Sequence, residues 1–189
     1  MAQRLLMGLC MERFNPYRKW QGPHWTLYSL AEIGFPAGGE ALLPLRGMAH
    51  WARAAGDKRA QLAAKSAAEF LLARRLLWRK RDGGLIVPEW GGPVDKVHYP
   101  IRFYDVLSAL VVMAEMGLAR DGRCQDALDL LERKRLADGM FPAEWTNVRQ
   151  ADRIETRGTY ANWGTLHKKK GNLLVTVDAL YVLREAGRG

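Results

Sequence analysis

One pattern in this chain limits its folding options more than any other: the same helix ending and the same turn come back at long intervals. Asp82-Gly-Gly-Leu-Ile-Val-Pro-Glu-Trp90 returns as Asp138-Gly-Met-Phe-Pro-Ala-Glu-Trp145, with the tryptophans 55 positions apart. Each copy follows a segment rich in Leu and Arg, and each runs from an Asp-Gly turn through an apolar strip to Trp. A second set interleaves with the first: Tyr28-Ser-Leu-Ala-Glu-Ile-Gly34, Val111-Val-Met-Ala-Glu-Met-Gly117 and Tyr181-Val-Leu-Arg-Glu-Ala-Gly187. In each, Gly stands where a helix closes on a left-handed residue, and Phe35 and Leu118 are placed to fold back on the last turn. Recurrence at this period points to stacked helical hairpins, none of which can bury its apolar face alone.

Apolar spacing predicts helices over 25–33, 40–54, 58–80, 101–116, 123–136 and 173–186. Asp57 and Asp121 stand where N-caps belong, and Pro100 suits a first helical turn. No segment alternates with period two, so the expected class is all-α. The 101–116 segment is apolar nearly all round, as in a helix covered on both sides, whereas 58–80 is amphipathic. That contrast predicts two concentric helix layers in a single domain spanning 1–189. The 138–171 stretch reads as a long irregular loop, either a lid over a cavity mouth or disordered around Lys168 to Lys170.

Composition narrows the function. With 189 residues, 48% hydrophobic and 26% charged, the chain is globular rather than disordered. Its longest apolar stretch contains Ser108 and runs into Glu115, far short of a membrane span. No small-residue cleavage site follows the first dozen residues, which leaves a cytoplasmic location as the expectation. Cys10 and Cys124 lie in no C-x-x-C, which excludes a disulfide framework and a cysteine-rich zinc module. Histidines at 24, 50, 98 and 167 show no metal-ligand spacing, and no Gly-rich phosphate loop is present, so neither metal nor cofactor is expected. The net charge is +9, but the charges are scattered, with runs only at 79–81 and 168–170. This argues against a dedicated nucleic-acid face. The excess of Arg over Lys beside abundant Ala, Leu and Gly suggests a GC-rich bacterial genome.

The Gly-terminated hairpins with Asp-Gly…Trp closures resemble the squalene–hopene cyclase and protein prenyltransferase superfamily, whose fold is an α/α toroid. Three stretches more closely resemble uncharacterised bacterial prenyltransferase-like proteins: Lys19-Trp-Gln-Gly-Pro-His-Trp25, His98-Tyr-Pro-Ile-Arg-Phe-Tyr-Asp-Val-Leu107, and Asn162-Trp-Gly164 with Val175-Thr-Val-Asp-Ala-Leu180. The resemblance implies a cavity for an isoprenoid or other apolar molecule. It carries over no chemistry, because the Asp-x-Asp-Asp acid motif, the Asp-x-Cys zinc pair and the Asp-Asp-x-x-Asp magnesium motif are all missing. Hairpins of about 50 residues also make this chain too short for a closed ring. A partial toroid leaves inner apolar surface that a second copy or a partner chain would cover.

The leading candidate residues sit around one predicted helix start. Arg102, Asp105 and Ser108 fall on one helical stripe, with His98 and Tyr99 on the loop before it and Tyr104 beside it. In a ring, Asp105 and His98 would be acid–base groups and Arg102 an anion contact, with Tyr99 and Tyr104 lining the site. The competing reading is an Arg102–Asp105 pair that pins the helix and a histidine satisfied by a backbone carbonyl. His24, Trp25 and Tyr28, with Trp163 from the long loop, form an aromatic group that would hold an apolar ligand or simply pack helices. Glu89 and Glu144 precede equivalent tryptophans; a glycosidase pair is one reading and turn-capping the other. Three functions stay open: an apolar-ligand toroid, catalytic or not, a non-catalytic scaffold, and a carbohydrate-active α/α-barrel relative.

Overall fold

The computed structural model describes residues 42–86, 93–99, 104–145 and 164–189. Among these residues the chain forms five α-helices and no strand. The helix expected over 25–33 lies outside the described residues. Helix α1 (Leu42–Ala55) and α2 (Lys58–Leu72) form a hairpin turned at Gly56, whose φ of +63° is left-handed. Asp57 caps α2 as its side chain suggested, accepting from the amides of Arg59 and Ala60 at 2.9 and 3.2 Å. Spacing along α2 buries Ala64, Ala68, Leu71 and Leu72.

The expectation that this helix runs on to Lys80 is corrected: it stops at Leu72. Arg75 and Leu76 both adopt left-handed backbone (φ 49° and 63°), a conformation that costs a non-glycine residue about 1 kcal/mol and that no helix tolerates. Burial and bonding hold the kink. Leu76 is fully buried, and the Tyr104 hydroxyl donates to its carbonyl. The chain then reverses around Asp82-Gly83, where Arg79 N–H donates to the Gly84 carbonyl and Ile86 N–H to that of Leu77.

Helix α3 (Val106–Glu115) begins five residues later than the 101–116 pattern suggested, because Asp105 is its N-cap with extended backbone (φ −145°, ψ 175°). Every residue from Val106 to Ala114 is buried. The helix is flanked by α1, by α5 (Leu173–Ala186) and by the short α4 (Gln125–Glu132). Its all-round apolar sequence is thus explained by neighbours on several sides. A 3₁₀ turn over Gly122–Cys124, capped by Asp121, leads into α4. The expected 123–136 helix ends at Glu132, since Leu136 gives its amide to Met140 in the Asp138-Gly139 turn.

The two Asp-Gly turns share their local bonding. Asp82 accepts from Gly84 N–H at 3.1 Å and Asp138 from Met140 N–H at 3.0 Å, while Gly83 and Gly139 are both left-handed. After the second turn, the chain over 138–145 is stitched to 164–176. Asn172 N–H donates to the Phe141 carbonyl, His167 N–H donates to that of Ala143, and Phe141 N–H donates to Thr176 Oγ1. Phe141 is fully buried.

Helix α5 has the bounds its sequence suggested. Asn172 caps it, accepting from Leu174 and Val175 amides at 3.0 and 3.1 Å, while its amide nitrogen donates to the Thr165 carbonyl. Asn172→Ala removes both functions, and a loss of about 1–2 kcal/mol of unfolding free energy in urea titration is expected. At the other end Gly187 (φ 76°) closes the helix, with Arg188 N–H returning to the Leu183 carbonyl. A Cβ there meets nothing closer than 3.7 Å, so Gly187→Ala costs backbone strain alone, about 1 kcal/mol. A larger loss in the same titration would mean that packing, not backbone, fixes this end.

Candidate functional site

The predicted cluster at the start of α3 is partly brought together. Arg102 lies outside the described residues, as do His24, Trp25, Tyr28 and Trp163. Asp105 is fully buried. One carboxylate oxygen accepts from Ser108 N–H at 2.6 Å and the other from His98 N–H at 2.6 Å, while Ser108 Oγ accepts from Asp105 N–H at 2.9 Å. The reciprocal bonds form a capping box. Asp105 therefore stands ahead of the helix, not on the stripe that three- and four-residue spacing implied. Burial pushes its carboxyl up to about 7, against the backbone amides that pull it down.

His98 is 2% exposed. Its Nε2 lies 3.1 Å from the Pro93 carbonyl, which can only accept, so Nε2 carries the proton and Nδ1 is left bare. Burial lowers its pKa, which keeps the ring neutral. The ring sits 6.2 Å from that of Trp145. Tyr104, the third member, spends its hydroxyl on the Leu76 kink. Tyr99 gives its amide to the Trp145 carbonyl, and its phenol is raised to about 12 by burial and then by the nearby Asp178 carboxylate. Glu144 accepts from Val97 N–H at 2.9 Å and from Lys134 Nζ at 2.6 Å, its pair with Lys134 nearly sealed from solvent. Glu89 lies outside the described residues.

A second polar group, which the sequence reading passed over, forms where α1, α3 and α5 converge. The Arg46 guanidinium clamps the Glu115 carboxylate through two nitrogens, Nε at 2.6 Å. His50 Nε2 approaches the same carboxylate at 3.3 Å, and Arg53 donates to the Glu115 carbonyl. Arg46 and Glu115 side chains are only 14% and 15% exposed. Asp178, half-buried on α5, feels the charges of this pair. Burial raises its pKa, Arg46 acts to lower it and Glu115 to raise it further. Asp178 makes no hydrogen bond or ion pair with any described residue. Tyr181, one turn on, feels the same Glu115 charge.

The available signal was a lone acid in the apolar run Leu173-Leu-Val-Thr-Val-Asp-Ala-Leu-Tyr-Val-Leu183. Beside it, α5 leaves apolar side chains in solvent: Leu173, Leu174, Val177 and Leu180 are 69%, 38%, 58% and 43% exposed. Among the described residues, no three His, Cys, Asp or Glu side chains are grouped to hold a metal, and no helix is long and apolar enough to cross a membrane. Cys124 is buried with its thiol pushed up to about 11, which leaves it a poor nucleophile. No family model matches the chain, and neither does any curated protein or solved structure.

Proposed function

We propose that this chain is a helical-hairpin protein of the partial α/α-toroid kind that binds an isoprenoid-like or other apolar small molecule along α5. The observation that supports this is the uncovered strip Leu173, Leu174, Val177 and Leu180 beside a half-buried polar group. Exposed apolar side chains grouped beside polar ones mark a surface that contacts an apolar partner. The reading assigns no reaction: Asp105 is taken up in a helix cap, and the neutral His98 ring is packed against Trp145.

Titration calorimetry with farnesol tests it. Saturable one-to-one binding that is abolished by Val177→Asp, in a variant with unchanged melting temperature, is the expected result. Absent saturation, or binding indifferent to Val177→Asp, overturns it.

The same strip supports a second reading, a non-catalytic scaffold whose open end docks a second copy. Light scattering after size exclusion separates the two. A dimer that Val177→Asp returns to monomer favours the scaffold, and a monomer that binds farnesol favours the ligand site. Of the two carboxylates behind the carbohydrate reading, Glu144 is engaged by Lys134 and Val97, and Glu89 lies outside the described residues.

A further inference from the structure

The segment 93–99 ties the 143–145 strip to the start of α3. On one side, the Val97 carbonyl accepts from the Glu144 and Trp145 amides at 2.9 and 3.1 Å, and Tyr99 N–H donates to the Trp145 carbonyl at 3.1 Å. Val97 N–H donates to the Glu144 carboxylate. On the other side, His98 N–H donates to Asp105, and Val106 N–H donates to the Val94 carbonyl at 2.9 Å. His98 stands in the middle of this clasp, 2% exposed, with its ring 6.2 Å from that of Trp145. Its Nδ1 is, among the described residues, the only buried side-chain nitrogen or oxygen without a hydrogen-bond partner. A polar atom sealed away bare in a folded chain calls for a reason.

Protonation supplies one. The Pro93 carbonyl, which also receives Lys96 N–H at 3.0 Å, holds His98 Nε2–H at 3.1 Å, so an added proton goes to Nδ1. The neutral ring leaves one acceptor unpaired, whereas the charged ring puts an unpaired donor and a full charge in the same sealed place. The carboxylates around it are already taken. Glu144 is bonded by Lys134 at 2.6 Å and by Val97, Asp95 pairs with Lys96 at 3.1 Å, and Asp105 serves backbone amides. Burial accordingly holds the pKa of the ring below its ordinary value, against the pull of the Pro93 carbonyl, Glu144 and Asp95. Asp105, raised by burial, favours the closed clasp as pH falls, so loosening by acid has to start at His98.

We propose that segment 93–99 is an acid-released clasp, in which a proton on His98 Nδ1 expels the ring from beside Trp145 and frees the 143–145 strip from the start of α3. The device is independent of the apolar-ligand reading above. Histidine suits it, because its charge changes between pH 5 and 8.

Hydrogen exchange on the full chain, followed residue by residue at pH 7, 6 and 5 and corrected for intrinsic exchange, is the test. The Tyr99 and Trp145 amides are expected to lose about tenfold or more of their protection at pH 5, the size of a buried donor left without an acceptor. The Val182 and Leu183 amides in α5 should keep theirs. His98→Gln, whose side-chain amide can still donate to Pro93 but takes up no proton, should abolish the change. A second measurement needs no variant: nitrogen NMR of the His98 ring at pH 7 should show the Nε2–H tautomer. Equal protection at pH 5 and 7 overturns the clasp, as does a parallel loss in α5, which is global unfolding. A loss that persists in His98→Gln, or an Nδ1–H tautomer at pH 7, also overturns it.

Discussion

Replacing Asp105 with Ala should lower the unfolding free energy at pH 5 by about 2–4 kcal/mol: about 1 for the lost cap and the rest for buried amides left without an acceptor. Its fully buried carboxyl serves the amides of Ser108 and His98 at once. The pH dependence gives a second reading of the same residue. Its native pKa, raised to about 7, exceeds the unfolded value. Between about pH 4 and 7 the native state therefore holds a proton that the unfolded chain has released. Stability from this group is complete below pH 4 and is lost as pH rises through 7, by at most about 1.4 kcal/mol per unit. Two other groups shifted by burial contribute as well. Asp178, also raised, acts in the same direction, while His98, lowered, costs stability as pH falls through its unfolded value. Both are common to the two proteins, so the gap between wild type and Asp105→Ala isolates Asp105 and should narrow from pH 4 to 7. Urea titrations across that range measure it. A gap that stays constant with pH means that Asp105 is ionised throughout, with its backbone donors outweighing burial.

How far the sequence carried depended on the physics each element obeys. Helix α5 was legible at both ends because its limits are local: an Asn cap and a left-handed Gly, each recognisable from residue type alone. The Asp57 cap was legible for the same reason. The end of α2 was not. Leu and Arg are good helix formers, and the Leu76 kink is held by Tyr104, 28 residues away, and by complete burial. Tertiary contacts outvoted propensity. The start of α3 failed in a related way. Asp105 fits a helical stripe by spacing and an N-cap by chemistry, and only its extended backbone decides between them. That choice also governs the candidate site, since a capping carboxylate faces backbone amides instead of a cavity. The Arg46–Glu115 clamp joins residues 69 positions apart. No spacing rule reaches that far, and the only local hint was an acid stranded in the apolar run of α5.

That clamp carries the second large effect. Glu115→Ala leaves the Arg46 guanidinium without a partner at a site where its side chain is 14% exposed. Breaking a fully buried pair costs about 3–5 kcal/mol, and the residual solvent contact places the expected loss near the bottom of that range, at about 3 kcal/mol. The pair itself is worth less than this figure, because most of the penalty belongs to the stranded charge. Arg46→Met combined with Glu115→Leu, which strands nothing, should therefore recover most of the stability. The resulting double-mutant cycle should show a coupling of about 1–3 kcal/mol. Additivity within about 0.5 kcal/mol would show that the two side chains act independently. The bond from Arg53 survives every variant because it ends on the Glu115 backbone carbonyl.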